Sequence, residues 1–568
     1  MPDVYAADQL PLFTTTRTQD ARLAASFDRL CQPDYDTAAV IAETIVDAWP
    51  GDLAGRLLLS LSRFARAGFP ALPHATELVE GMLEAVNAEG YFGEVLGEVV
   101  DEQQVACHGW VVSGLLQYAA VSGDARASVA AFRIVDALLL PALARLDSYP
   151  FERDTSADVG EASGSAEVIL NGWRLSTDIW CVFLALNGLV PSFQQSGRSD
   201  IAAAIVLLRA VLDRVDVVAK RAQLHATLAA ARCLADFAEA GGVAARPAVA
   251  GGAGGPVDSS RDTAVVADAN GSADATAAAA ATATATATAE FRAAAATAVR
   301  LYNAYAAHGR TLNYATFNWF GRPDSWTEPC AIVDSLALAY TLWRLTGEQR
   351  YLDDAQRIEY NALDTAERAN GSFGLDSVMT PEHPELREVH PDARWCCTMR
   401  GALGLLEARE NSVALASTAA PSSSASAPVS ARGASAPVNG VAIVPTSGLA
   451  LDIVGFHSGT IAVAAGSAGE WMLRETTAYP AAPEVRFDVI RAPENAVPLT
   501  LTLRYPGGSQ TLVLAPRVGA AVEAEIPLAV TEESVGSGLV AVFRGPVLQS
   551  IHSAGTQQAL QPDLTSKA

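Results

Sequence analysis

Two short segments of the sequence carry residues that could bind a metal ion. Glu328 and Cys330 flank a proline where an apolar helical pattern begins, and Cys396 and Cys397 are adjacent residues just before another such pattern. Thiolate and carboxylate groups both bind zinc, which commonly takes four ligands in a tetrahedral arrangement. If the two segments meet in the fold, these side chains form a zinc site with one glutamate and three cysteines.

The adjacent cysteines indicate that such a site would do more than stabilise the fold. Structural zinc sites usually separate their cysteines by about two to four residues, and neighbouring cysteines are poor disulfide partners. We therefore expect one thiol to have another task, and the residues alone are compatible with a structural, a redox or a nucleophilic role. We interpret the remaining cysteines as buried packing residues, namely Cys31, Cys107, Cys181 and Cys233.

The charge of the chain limits its partners. Its 568 residues include 63 acidic and 39 basic side chains, which gives a formal net charge of −24. Binding to nucleic acid or to an anionic membrane surface needs a surplus of lysine and arginine, so we expect neither partner. No segment approaches the ~20 consecutive apolar residues of a membrane span, and the first residues lack the pattern of a secretory signal. The sequence therefore predicts a soluble, cytoplasmic protein.

Helical periodicity dominates the first part of the chain. Between residues 20 and 240, apolar side chains recur at spacings of three and four, as at Leu57, Leu61 and Phe64, and turn-forming residues separate the repeats. Two more such patterns flank a Thr-Gly-Glu turn at 346–348 and predict an antiparallel helical hairpin. A further helix is expected after Cys397. The pattern is typical of an array of helical hairpins.

Two low-complexity tracts interrupt this pattern. Residues 241–289 are rich in glycine and alanine and end in an alternation of alanine and threonine. We interpret this tract as a disordered surface insertion, because the threonines weaken an alanine-rich helix. The second tract predicts a linker at residues 413–439.

Beyond the second tract, the period of the apolar residues changes to two. Apolar and polar side chains alternate at residues 485–489 and again at 499–505, where a Pro-Gly-Gly turn follows. This alternation predicts antiparallel strands with one buried face. We therefore expect an all-α domain followed by an all-β sandwich domain at residues 440–568.

Together, these motifs resemble glycoside hydrolase family 127, the β-L-arabinofuranosidase family. The resemblance rests on the Glu-x-Cys segment at a helix start, Leu-Thr-Gly-Glu-Gln-Arg-Tyr-Leu at 345–352, Tyr-Asn-Ala-Leu at 360–363 and the vicinal cysteines. It implies an (α/α)6 barrel at residues 1–412, followed by the β-sandwich. It also implies hydrolysis of a small glycoside or oligosaccharide.

The resemblance further implies a set of site residues. Zn2+ would be held by Glu328, Cys330, Cys396 and Cys397, and Cys396 would be the nucleophile. A thiolate that attacks the anomeric carbon forms a covalent glycosyl-enzyme, which water then hydrolyses with net retention of configuration.

Three other residues are candidates for the site. His108 and His225 each lie near the start of an amphipathic helix, at positions similar to sugar-contacting histidines of the family, and a capping or packing role is equally compatible with them. The family places a glutamate acid ahead of the Glu-x-Cys segment, but residues 311–320 contain no carboxylate here. Asp324 lies nearby, where a turn or cap role is also compatible.

This departure leaves other hypotheses open. One is a non-catalytic carbohydrate-binding or scaffold barrel that keeps the zinc as a structural element. Another is a thiol-based redox or metal-sensing protein.

Overall fold

The computed structural model describes residues 18–152, 166–242, 273–415, 450–464, 470–494 and 496–553. A helical barrel is followed by a β domain, in the order that the sequence predicts. The helices are α1 (Gln19–Leu30), α2 (Thr37–Val46), α3 (Asp52–Arg66), α4 (Leu72–Ala85), α5 (Glu102–Ser122), α6 (Ala125–Ile134), α7 (Leu140–Leu143), α8 (Leu186–Ser196), α9 (Ser199–Leu212), α10 (Leu224–Ala240), α11 (Ala273–His308), α12 (Pro329–Thr346), α13 (Gln349–Arg357), α14 (Asp364–Ala366) and α15 (Cys397–Asn411). No helix in these stretches is both long and apolar enough to cross a membrane.

Within the described part of the chain, six helices close into a ring. In order, α3, α5, α8, α10, α12 and α15 each pack against the next, and α15 returns to α3. A second helix covers the outside of each, namely α4, α6, α9, α11, α13 and α1. Burial explains the two layers, because the ring helix α12 is buried on almost all sides. Helix α13, in contrast, combines a buried face with one that is mostly half-buried.

The first turns of four ring helices meet at one end of the barrel, namely those of α3, α10, α12 and α15. There, Arg56 in the first turns of α3 contacts Cys330 at the start of α12 and His225 at the start of α10. At the opposite end, Arg63 of α3 pairs with Glu407 near the end of α15. We call these the N-terminal end and the C-terminal end of the ring.

Two glycines bring the backbones of α3 and α5 into contact. A Cβ atom on Gly55 would lie 2.6 Å from the backbone nitrogen of Val111, and one on Gly114 would lie 2.7 Å from the carbonyl oxygen of Gly55. Neither position has room for a side chain, and glycine is the residue that permits such an approach. The contact places the guanidinium carbon of Arg56 4.3 Å from the ring centroid of Trp110.

The strands belong mainly to the C-terminal domain. They are β1 (Val100–Asp101), β2 (Ala166–Leu170), β3 (Trp173–Ser176), β4 (Leu375–Asp376), β5 (Glu388–His390), β6 (Val413–Leu415), β7 (Ala450–Ile453), β8 (Gly459–Ala464), β9 (Glu470–Thr477), β10 (Glu484–Arg491), β11 (Leu499–Tyr505), β12 (Gly508–Leu514), β13 (Ala521–Glu525), β14 (Val530–Gly536), β15 (Leu539–Arg544) and β16 (Val547–Ser553). Two four-stranded sheets, β13-β10-β9-β8 and β12-β11-β7-β6, share one apolar core and form a sandwich. Strands β7 and β11 are parallel, and the other pairs in these two sheets are antiparallel.

The last three strands form a separate sheet that lies against the barrel. Phe543 of β15 packs edge-on against Tyr314, with ring centroids 5.9 Å apart, and Glu533 of β14 pairs with Arg357. The domain expected at residues 440–568 therefore contains a sandwich and an additional sheet.

Three details of the sequence prediction are wrong. Helix α11 begins at Ala273 and includes the alanine–threonine alternation, where the sequence predicts disorder. Alanine is the strongest helix former, and threonine costs less than ~1 kcal/mol per residue in a helix. Strand β6 lies in the expected linker and pairs with β7, and a small sheet of β1, β3 and β2 occurs where only helices are expected. Residues 243–272 and 416–449 lie outside the described residues.

Candidate metal centre

The four residues predicted to bind metal lie together at the N-terminal end of the ring. Glu328 immediately precedes α12, and Cys330 is in its first turn, while Cys396 immediately precedes α15 and Cys397 is its first residue. One ligand atom from each of the four lies within 4.8 Å of the others. The Sγ of Cys397 is 3.8 Å from that of Cys330 and 3.4 Å from that of Cys396. We call these residues the Glu/Cys cluster.

Hydrogen bonds fix the two segments that carry the cluster. Before α12, the N–H of Thr327 donates to the carbonyl oxygen of Asp376 at 2.7 Å, and its hydroxyl accepts from the N–H of Asp376 at 3.2 Å. In α15, the hydroxyl of Thr398 donates to Asp392 at 2.7 Å and accepts from the N–H of Phe373 at 3.1 Å. The chain from Phe373 to β4 therefore binds both segments and holds them side by side.

Little water reaches the cluster. Cys330 and Cys397 are buried, Glu328 is 8% exposed and Cys396 is half-buried. Burial raises the pKa of Glu328 and of Cys397 well above their ordinary values, and it raises the pKa of Cys330 to about 11. Hydrogen bonds from the thiols of Cys330 and Cys397 lower the pKa of Cys396. Cys396 is thus both the most accessible thiol of the cluster and the one that ionises most easily.

The donor set fits a zinc ion. The Oε2 of Glu328 is buried without a hydrogen-bond partner, a costly state for a carboxyl group that a cation would relieve. Three thiols and a carboxyl group are donors that a four-coordinate, borderline-soft ion accepts. Because a metal ion would displace the protons of these groups, the high pKa values of the buried members make the metal affinity depend on pH.

Arg56 is a cluster neighbour that the sequence analysis missed. Its Nη1 is 3.6 Å from the Sγ of Cys330, and its Nη2 is 3.5 Å from the Nε2 of His225. Its Nε donates to the Oδ2 of Asp52 at 2.7 Å. The spacing of Asp52 and Arg56 on a helix indicates an ion pair, but no local signal identifies the thiol that the arginine meets.

His225 belongs to a buried layer of polar residues directly behind the cluster. Its Nδ1 donates to the Oδ2 of Asp334 at 2.8 Å, and its ring stacks on that of Trp110. The Oδ1 of Asp334 accepts from Arg400 at 2.7 Å and from Arg232 at 3.1 Å. Burial opposes ionisation of Asp334, but these cations and His225 hold its pKa far below the usual range. We call these five residues the central polar layer.

His108 is engaged by the backbone at both ring nitrogens. Its Nδ1 donates to the carbonyl oxygen of Gln104 at 2.7 Å, and its Nε2 accepts from the N–H of Phe92 at 3.0 Å. Burial lowers the pKa of His108 to about 4, so the ring is neutral near pH 7. Both ring nitrogens are therefore engaged by the backbone in this structure, and the sugar contact of His108 stays a prediction. His108 holds the Phe92 segment against α5.

Asp324, the carboxylate nearest to the position of the expected acid, has the surroundings of a turn residue. It forms an ion pair with Arg322 at 2.7 Å, and its side chain is 63% exposed. The hydrogen bond from Arg322 holds the pKa of Asp324 below its usual range. A carboxyl group that stays ionised is a poor proton donor, and Asp324 is therefore not suited to that task.

The cysteines outside the cluster follow the prediction with one exception. Cys107, Cys181 and Cys233 are buried. Cys31 is exposed, because it directly follows the last residue of α1 and does not lie on the buried face of a helix.

The fold is shared with solved glycoside hydrolases. A structure described as a glycoside hydrolase superimposes with a TM-score of 0.56 at 12% identity, over 94% of this chain and 81% of that one. The GH127 β-L-arabinofuranosidase from Geobacillus stearothermophilus T6 gives a TM-score of 0.56 at 12% identity, over 95% of this chain and 86% of its own. A GH127 β-arabinofuranosidase gives a TM-score of 0.57 at 12% identity, over 94% of this chain and 84% of its own.

These likenesses confirm the family resemblance at the level of the fold. The matching region spans both the helical barrel and the β domain, since it includes more than nine tenths of the chain in each case. Neither a protein-family model nor a curated protein matches the sequence.

Proposed function

We propose that the protein is a retaining glycoside hydrolase whose nucleophile is the thiolate of Cys396. The observation that carries the proposal is the Glu/Cys cluster at the N-terminal end of a barrel that shares its fold with two GH127 arabinofuranosidases. Glu328, Cys330, Cys396 and Cys397 would hold Zn2+. A small glycoside or oligosaccharide is the substrate.

The exposure of the thiols distinguishes their roles. Cys396 is half-buried, whereas Cys330 and Cys397 are buried, so a sugar ring can approach the Sγ of Cys396 more readily. Bound zinc would keep the thiols deprotonated near neutral pH. The Sγ of Cys396 attacks the anomeric carbon and the glycosidic oxygen leaves, and water then releases the sugar and the thiolate.

Asp52 is our candidate for the group that protonates the leaving oxygen. Its Oδ1 is buried without a hydrogen-bond partner, and burial raises its pKa even though Arg56 opposes this. Its Oδ2 binds Arg56, which contacts Cys330, so the carboxyl group lies beside the cluster. A raised pKa is what a general acid needs near neutral pH.

The nucleophile is tested with Cys396→Ala and a panel of nitrophenyl glycosides of both anomers and both ring sizes. We expect turnover to fall by about a thousandfold or more, with the melting temperature nearly unchanged. Cys107→Ala is the matched control, since this thiol is buried on α5 outside the cluster. Full turnover in the Cys396 variant would refute the thiol mechanism.

The acid is tested with Asp52→Asn. Hydrolysis of alkyl glycosides should fall by about a hundredfold, while dinitrophenyl glycosides, whose leaving group needs no proton, should react almost as before. An equal loss on both substrates would exclude Asp52 as the proton donor.

A non-catalytic carbohydrate-binding or scaffold protein with a structural zinc is the second candidate. The observation that favours it is the absence of a carboxylate from residues 311–320. It predicts stoichiometric zinc by elemental analysis together with no cleavage of any glycoside in the panel.

A further inference from the structure

An opening lies inside the helical ring, away from the Glu/Cys cluster. It is a cavity of about 500 Å3, lined by residues from all six ring helices. Its volume lies within the range of roughly 300–1,000 Å3 that is typical of small-molecule sites. On α12 the lining runs from Ala337 to Arg344, whereas the cluster uses Glu328 and Cys330 at the start of that helix. The cavity therefore lies at the C-terminal end of the ring.

The central polar layer separates the two sites. Trp110, Arg232 and Arg400 form the floor of the cavity. Arg56, which contacts Cys330 of the cluster, also lies over the ring of Trp110. On α12 the nearest lining residue, Ala337, is ~10 Å along the helix from Cys330, so the cavity and the cluster lie at different levels of the ring.

The charges that line the cavity balance. Among the residues that the structure describes, four arginines and four carboxylates line it. Three of the arginines pair with lining carboxylates, as in Arg63 with Glu410 at 2.6 Å and Arg344 with Glu239 at 2.6 Å, and Arg400 pairs with Asp334 of the central polar layer. An ionic ligand would have to break such pairs and leave one partner uncompensated, which is costly in a partly buried site. A neutral ligand can leave the pairs intact.

The remaining polar groups suit hydroxyl groups in particular. Five side-chain amides line the cavity together with Trp110 and Trp343. Amides, carboxylates and guanidinium groups can each donate to or accept from hydroxyls, and an aromatic face covers the apolar side of a sugar ring. Arg400 is 4% exposed, and its Nε has no hydrogen-bond partner although it is buried.

We propose that this cavity is a second binding site, separate from the cluster, for a neutral polyhydroxylated ligand such as a monosaccharide, a disaccharide or a cyclitol. The site is independent of hydrolysis at Cys396, because its lining residues do not include the cluster.

The test uses the full-length protein with substitutions that fill the cavity. Ser113 and Gln117 of α5 line it without a hydrogen bond that would be lost, so Ser113→Phe and Gln117→Trp place an aromatic ring inside. Val129→Phe is the matched control, since Val129 is 69% exposed on α6. Binding of L-arabinose, D-glucose, sucrose, myo-inositol, D-glucuronate and D-glucosamine is measured by saturation-transfer NMR and calorimetry.

We expect at least one neutral compound to bind to the original protein and to its Cys396→Ala variant. Each filling substitution should weaken this binding at least tenfold, and Val129→Phe should leave it unchanged. The proposal is overturned if no neutral compound binds, if binding survives both filling substitutions, or if a charged sugar binds most tightly. Loss of binding in Cys396→Ala alone would assign the sugar to the cluster and also overturn it. If the protein hydrolyses no glycoside but still shows this binding pattern, the proposed hydrolysis is refuted and the proposed second site is not.

Discussion

The two ends of the helical ring are built from the same six helices but expose different chemistry. At the N-terminal end, three thiols and a glutamate converge, and the Oε2 of Glu328 is buried without a partner. At the C-terminal end, arginines and carboxylates pair with one another around an open cavity. One end therefore holds buried donor atoms that a cation would satisfy, and at the other end the charges are already paired. The first is suited to reaction, and the second to recognition of a neutral molecule.

The central polar layer is where the two ends depend on each other. Asp334 binds His225 on the cluster side and Arg232 and Arg400 on the cavity side. It is fully buried, so its charge is compensated by these partners and not by water. Removal of that charge leaves cations buried without a counterion.

Asp334→Asn should have the largest effect of the substitutions that separate the two ends. Breaking a buried charge network by removing one partner costs about 3–5 kcal/mol, and we expect the free energy of unfolding in urea to fall by that amount. Zinc content and sugar binding should fall together. Asp324→Asn is the control, because this exposed carboxylate forms only a local pair and should change stability by less than about 0.5 kcal/mol. If Asp334→Asn and Asp324→Asn changed stability, zinc content and sugar binding equally, the central polar layer would not couple the two ends of the ring.

The sequence predicts the two ends unequally. The cluster can be predicted because each of its two ligand pairs lies within one short segment, at a helix start that the apolar periodicity identifies. The turn at 346–348 also forms as expected, and Gly347 ends α12 with a φ of +72°. The layer and the cavity are not predictable in this way. Arg56 meets Cys330 across 274 positions, and His225 meets Asp334 across 109, so neither contact leaves a local pattern.

The β domain illustrates the same limit. Alternation of apolar and polar residues predicts strands such as β10 and β11, and both form. It does not predict which surface a strand covers, because a buried face has the same pattern against a sheet or against a helix. Strands β14 to β16 accordingly pack on the barrel through contacts such as Phe543 with Tyr314.

At the C-terminal end, Glu407 should contribute to the pH dependence of stability. Burial of Glu407 raises its pKa, but Arg63 and the other arginines nearby outweigh this and lower it below its ordinary 4.5. A carboxyl group with a lowered pKa in the folded state stabilises the protein above about pH 4.5, and this contribution is lost as the pH falls towards the folded-state pKa. Between pH 5 and 2.5, the free energy of unfolding should therefore fall by about 2 kcal/mol more in the original protein than in Glu407→Gln.

The difference between the original protein and the Glu407 variant is the quantity to measure, because the other titrating groups cancel in it. Urea unfolding at several pH values gives this difference directly. Zinc content at pH 7 should be the same in both proteins. A variant with the same acid sensitivity as the original protein would exclude Glu407 as the source.

Among the effects on zinc binding, we expect that of Arg56 to be the smallest. Three thiolates and a carboxylate around a divalent cation leave two negative charges, and Arg56 is the cation that contacts Cys330. Arg56→Met should therefore weaken zinc affinity about tenfold, as loss of an outer partner of a metal ligand commonly does. Arg56→Lys should lose less, because it keeps the charge but not the planar group that reaches Cys330, His225 and Asp52 together.

Arg63→Met is the matched control, since the same helix carries this arginine at the C-terminal end, where it pairs with Glu407 and Glu410. Competition with a chromogenic chelator measures the zinc affinity of each variant. If the two substitutions weaken zinc equally, the charge of the whole barrel matters more than the contact with Cys330. If only the Arg56 variant binds zinc more weakly, charge affects zinc binding only from the N-terminal end of the ring. This is the result we expect, since the central polar layer lies between Arg63 and the cluster.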